Sequence, residues 1–130
     1  MKEIKAEIIS IGDELLIGQV VNTNASWIAS ELVKNGIEVG RITAIKDSKS
    51  EIFEALNSSI ENIVLFTGGL GPTKDDITKG VLCNYFDSKL IFHTPTFDHI
   101  KSLFGKRNYP VTEVNKNQAL IPDKCIPLFN

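Results

Sequence analysis

Cysteine is scarce in this chain of 130 residues: Cys83 and Cys125 are the only two, far apart and without CxxC spacing. That scarcity excludes a disulfide framework and a thiolate zinc site, and it suits a reducing compartment. Histidine is as sparse, and His93 and His99 have no cysteine or histidine partner at ligand spacing. No apolar run approaches the roughly 18 residues of a membrane span. Met1-Lys2-Glu3-Ile4-Lys5 leads into strand-like sequence without a secretory h-region, so a cytoplasmic chain with no membrane partner is expected. Basic clusters are missing too. With a net charge of −2 the chain offers no footprint for nucleic acid. Repeats, linkers and low-complexity stretches are also absent.

What remains is ordinary globular composition, 42% hydrophobic and 23% charged, and enough length for one domain over residues 1–130. Strand and helix patterns alternate. Residues 6–11 read as a buried strand ending at Gly12. A helix over residues 24–35 carries its apolar stripe on Ala25, Ile28, Ala29, Leu32 and Val33, leaving Trp27 off the stripe as a partner-surface residue. Gly36 stands where such a helix ends. Residues 37–45 form a second, more alternating strand. Ser48-x-x-Glu51 is a capping box for a helix with Ile52, Leu56 and Ile60 in register. A third strand, residues 62–66, precedes the glycine-rich segment. The rest reads as a helix to Phe86, a short strand at residues 90–92 and a helix from a Thr94-Pro95 cap to Gly105. A polar helix over residues 112–120 and a strand start at residues 125–129 follow. Such alternation predicts an α/β fold, three-layered, with a mostly parallel sheet and helices on both faces. Its ligands bind beyond the carboxyl ends of the strands. The loops at residues 12–14, 46–48 and 67–76 then share one edge, and all carry acidic residues.

The richest of these loops is Thr67-Gly68-Gly69-Leu70-Gly71-Pro72-Thr73-Lys74-Asp75-Asp76-Ile77-Thr78. Strand, glycine turn and helix start together make a phosphate cradle of backbone N–H groups. Two carboxylates sit where an anion is expected, which points to a divalent cation between them or to a carboxyl that does chemistry. Gly71 is followed by Pro72-Thr73, which excludes a Walker loop, and Lys74 replaces the third glycine of a dinucleotide fingerprint. The plainer reading is a tight turn whose Thr73-x-x-Asp76 spacing forms a capping box, with acidic residues supporting the first helical turn. Asp13 and Glu14 are open to a similar reading, Asp47 precedes a capping serine, and Asn22 and Asn24 suit helix caps as well as ligand contacts.

Gly12-Asp13-Glu14-Leu15-Leu16-Ile17-Gly18-Gln19-Val20-Val21-Asn22-Thr23-Asn24, the segment at residues 67–78, and Asn117-Gln118-Ala119-Leu120-Ile121-Pro122 resemble the N-terminal domain of the CinA proteins. These are bacterial competence- or damage-inducible proteins of the MoaB/MogA-like molybdopterin-binding superfamily. The resemblance covers essentially the whole chain. It implies a three-layer α/β fold and metal-dependent hydrolysis of ADP-ribose to AMP and ribose 5-phosphate. The implied cation is Mg, Co or Mn, and a homo-oligomer, dimer or trimer, is expected. Related members instead bind a pterin and adenylylate its phosphate. Carried over, Asp47 and Asp76 match the essential acidic residues, as catalytic groups and metal ligands. Gly12, Asp13, Glu14, Asn24, Thr67, Gly68, Gly69, Gly71, Pro72, Thr73, Asp75 and Thr78 match the substrate side. The family's amidase domain is not in this sequence, and its glycine-containing stretch after the position of Asn130 is expected to complete the enclosure.

Overall fold

The computed structural model describes residues 3–129, so the readings placed on Met1, Lys2 and Asn130 lie outside the described residues. The chain divides into two compact units, residues 1–69 and 70–130.

In the first unit, strand β1 (Lys5–Ile11) leads through helix α1 (Asp13–Leu16) and helix α2 (Thr23–Lys34) to strand β2 (Glu38–Ile45). Helix α3 (Lys49–Ser58) then leads to strand β3 (Ile63–Thr67). The sheet order is β2-β1-β3 and both pairings are parallel. β1 is central, so Ala6, Ile8, Ile9 and Ile11 are all buried, joined by Ala25 of α2, Ile45 of β2 and Ile52 of α3. Burying each isoleucine contributes roughly 1.5–3 kcal/mol. Central placement explains the apolar run in β1, and edge placement the greater exposure of β2.

One member of β1 breaks the pattern. Glu7 is only 2% exposed and pairs with its cross-strand neighbour Arg41 at 3.2 Å. The helix stripe also needs correction, since Val33 is 62% exposed. α3 ends at Ser58, so Ile60 falls beyond it and into solvent. Trp27 is exposed, and Gly36 takes φ 77° directly after the Asn35 C-cap, as the sequence predicts.

The second unit holds helix α4 (Thr78–Tyr85), strand β4 (Leu90–Phe92) and helix α5 (Thr94–Lys106). Helix α6 (Glu113–Lys116), a 3₁₀ turn (Asn117–Ala119) and strand β5 (Leu120–Pro122) follow. β4 and β5 pair antiparallel, a pairing absent from the sequence reading. The expected polar helix over residues 112–120 therefore breaks: α6 gives way to a 3₁₀ turn and Leu120 pairs with Phe92. The strand start expected at residues 125–129 does not form, because the strand in this region is β5. The α5 cap moves from Thr94 to His93, whose Nδ1 accepts from the Thr96 N–H at 3.3 Å. α5 also passes the expected stop at Gly105 and ends at Lys106. Thr78, Val81, Cys83 and Ala119 are buried here. The protein is thus an α/β chain with a parallel sheet flanked by helices. No helix among the described residues is long and apolar enough to cross a membrane.

Candidate functional site

In the first unit the exits of all three parallel strands meet at the carboxyl edge. The Gly12 N–H donates to the Ile45 carbonyl at 3.0 Å, tying the end of β1 to the end of β2. The Asp47 N–H donates to Asp13 Oδ1 at 3.3 Å, linking the next residues of the same loops. Gly12 is buried and its backbone is extended, so conformation does not demand glycine there. A Cβ would stand 2.5 Å from Glu14 Oε1, the far end of an exposed side chain that can turn aside. At the exit of β3, Gly68 takes φ 95° and a Cβ would collide with the Ile11 carbonyl oxygen. The turn after Thr67 therefore passes close over the end of β1, and Gly69 follows at φ 62°.

Asp13 and Glu14 open α1 as exposed first-turn residues. Asp47 is half-buried with Oδ1 sealed from solvent, and Ser48 beside it caps α3 by accepting from the Glu51 N–H at 3.3 Å. Asn22 is spent on structure. Its Oδ1 accepts from the Ala25 N–H at 3.3 Å and its Nδ2 donates to buried Ser10 Oγ at 2.9 Å. Asn24 is exposed in the first turn of α2.

In the second unit the turn at residues 71–76 closes on itself. Asp76 Oδ2 accepts from the Thr73 N–H at 3.1 Å and from the Thr73 hydroxyl at 2.5 Å. The Asp76 N–H donates back to the Thr73 carbonyl at 3.2 Å. A Cβ on Gly71 would lie 2.5 Å from the same Oδ2. The expected capping box is corrected on one point. The Thr73–Asp76 bonds form, but α4 begins only at Thr78 and Ile77 caps it without a side-chain bond, so Asp76 is not in a helical first turn. Pro72 is half-buried, Asp75 is exposed, and Thr78 is fully buried.

Electrostatics follow from these bonds. The Thr73 hydroxyl, aided by the Thr73 and Gly71 backbone N–H groups and by Lys79, holds the Asp76 carboxyl below its usual range against a smaller desolvation penalty. Lys79 was not singled out from sequence. Burial lowers its pKa, while its Nζ donates to the Leu120 carbonyl at 3.0 Å and the Asn117 carbonyl at 3.3 Å. The motif at residues 117–122 thus meets α4 through a lysine one position inside the helix. Asp123, also missed, accepts from Ser88 Oγ at 2.6 Å and the Lys89 N–H at 3.1 Å, which lowers its pKa. Among the described residues no three His, Cys, Asp or Glu side chains gather into a metal cage.

Residues 7–127 match the family described as "Probable molybdopterin binding domain". The CinA-like protein of Flavobacterium psychrophilum is 50% identical over 133 residues, covering 98% of this chain and 31% of the relative. That of Cytophaga hutchinsonii is 45% identical over 129 residues, with 98% and 31% covered. The chain therefore spans 31% of the length of these curated relatives. Among solved structures, CinA from Thermoplasma acidophilum superposes with a TM-score of 0.80 at 30% identity, covering 98% of this chain and 76% of that one. The tungsten cofactor synthesizing protein MoaB from Pyrococcus furiosus gives a TM-score of 0.63 at 26% identity, with 92% and 70% covered.

Proposed function

The chain belongs to the molybdopterin-binding domain family, and from that premise we propose that it binds a nucleotide pyrophosphate and hydrolyses it, ADP-ribose yielding AMP and ribose 5-phosphate. The observation that carries the proposal is the turn at residues 71–76, where backbone and hydroxyl donors converge on a single anionic oxygen. Donors so arranged serve a phosphate oxygen as readily as a carboxylate. The resemblance assigns to the substrate side Gly12, Asp13, Glu14, Asn24, Thr67, Gly68 and Gly69 of the first unit and, separately, Gly71, Pro72, Thr73, Asp75 and Thr78 of the second. Asp47 and Asp76 supply the acidic groups. With its carboxyl held below the usual range, Asp76 is a weak proton acceptor at neutral pH and acts as a fixed negative charge.

A divalent cation would neutralise the diphosphate when bound. Magnesium sites of this kind use one or two carboxylates and complete the shell with substrate phosphates and water. A second reading is favoured by the family description and by the MoaB neighbour: a molybdopterin-binding module without hydrolysis.

The test is incubation of this chain, and of a full-length protein containing it, with ADP-ribose and magnesium, manganese or cobalt. Equal amounts of AMP and ribose 5-phosphate are expected, with release at least about 100-fold slower in Asp76→Asn, the loss typical of a removed charged group at a reacting centre. No AMP from either protein, together with saturable molybdopterin binding, would establish the second reading.

A further inference from the structure

The Asp76 carboxylate occupies the very donors that an incoming phosphate needs. Thr73 gives both its N–H and its hydroxyl to one oxygen, Oδ2, at 3.1 and 2.5 Å. Gly71 lies close against the same oxygen, since a Cβ there would stand 2.5 Å from it. No second anionic oxygen fits beside Oδ2 while the carboxylate stays in place, because like charges at such distance repel and the donors are already used. The turn is local, four residues from Thr73 to Asp76, and its carboxylate is not anchored by a helical first turn because α4 starts at Thr78. Rotation of one side chain therefore frees the donors without disturbing regular structure.

We propose that Asp76 is an internal phosphate mimic: its carboxylate fills the turn in the ligand-free chain, and a phosphoryl group binds by displacing it. Anion binding and release of the Asp76 carboxylate are then one event. The released carboxylate becomes free for a cation only when phosphate is present, so an empty site neither collects loose cations nor binds every passing anion. This rests on the phosphate reading of the turn and deepens it. Gly71 is required because any side chain there would crowd either anion, and Thr73 is required because its hydroxyl is handed from carboxylate to phosphate.

Inorganic pyrophosphate in metal-free buffer is the probe, with wild type, Asp76→Asn and Asp76→Ala compared by calorimetry at low and high salt. The apparent affinity of a partly blocked site falls by the fraction of time it is open, so removing the plug in Asp76→Ala should tighten binding by about tenfold. The Asp76→Asn amide oxygen still accepts from Thr73, as Asn115 Oδ1 does from Thr112, and should gain less. A gain that came only from lost charge repulsion would vanish at 1 M salt, where screening acts within roughly 3 Å, whereas relief of occupancy persists. In wild type, labelled carboxyl NMR should show the Asp76 signal moving on saturation while the Gly71 and Thr73 amides keep their downfield positions. Equal or weaker binding by Asp76→Ala at high salt would overturn the mimic. So would an Asp76 carboxyl signal that stays fixed while those two amides move. Binding by none of the three proteins would overturn the phosphate reading itself, and the mimic with it.

Discussion

Asp76 illustrates how far a single residue was readable. Its place after a glycine run marked it, yet the partner that sets its charge, the Thr73 hydroxyl, follows from the turn closing on itself rather than from helix capping. Glu7 and Lys79 escaped notice because burial of a charged side chain depends on partners distant in sequence: Arg41 for the first, the Asn117 and Leu120 carbonyls for the second. Thr73→Val should raise the Asp76 carboxyl toward the ordinary aspartate value by removing its strongest stabilising bond. A carboxyl depressed in the fold stabilises it above the unfolded value, about 3.9, and loses that contribution as pH falls through the lower folded value. Carboxyl NMR titration should therefore show the wild-type midpoint below the Thr73→Val midpoint; coincident midpoints would refute the assignment. At Gly68, alanine must adopt φ 95° and approach the Ile11 carbonyl, so Gly68→Ala should lower stability by about 1–3 kcal/mol in urea titration. A change under half a kcal/mol, within the usual range for featureless surface positions, would show that the turn relaxes freely.

Elements were legible where a local signal set them. Ser48 caps α3 and Gly36 ends the run of α2, both from short-range chemistry visible in sequence. Boundaries failed where tertiary pairing competed: the polar stretch at residues 112–120 was split because Leu120 pairs with Phe92 in an antiparallel ribbon. The α5 cap shifted because an imidazole nitrogen accepts a backbone bond as a threonine hydroxyl does. Asn22 joins α2 to β1, so Asn22→Ala removes an N-cap worth about 0.5–2 kcal/mol. It also strands the buried Ser10 hydroxyl, at a further cost of about 1–3 kcal/mol. The denaturation midpoint should drop accordingly, and Asn22→Asp, which keeps the cap acceptor, should recover part of the loss. Lys79→Met keeps the aliphatic stem and deletes two bonds to the 3₁₀ turn and β5. Amide exchange at residues 117–120 should then accelerate while α5 stays protected; unchanged exchange would mean those bonds are idle.

At the scale of the whole molecule, strand–helix alternation carried the α/β class and the parallel sheet, because β1, buried on both faces, is dominated by apolar residues with only Glu7 and Ser10 as buried polar members. The shared edge of the loops at residues 12–14 and 46–48 and the turn at Gly68 followed from the same rule. The β4–β5 ribbon did not, since strands of three residues are too short to carry a period to read. The cysteine scarcity noted at the outset also has a global consequence. Cys83 is 5% exposed within α4, whereas Cys125 is exposed and both thiols are free. A thiol reagent needs contact with the thiolate, so a packed helix must open before Cys83 reacts. The native chain should therefore consume one equivalent of a disulfide reagent quickly and a second only as fast as α4 opens. In denaturant both thiols should react at once. Adding urea below the unfolding midpoint should speed only the second phase, which makes Cys83 a gauge of opening around α4. Two fast equivalents in native buffer would show that α4 is not packed as described.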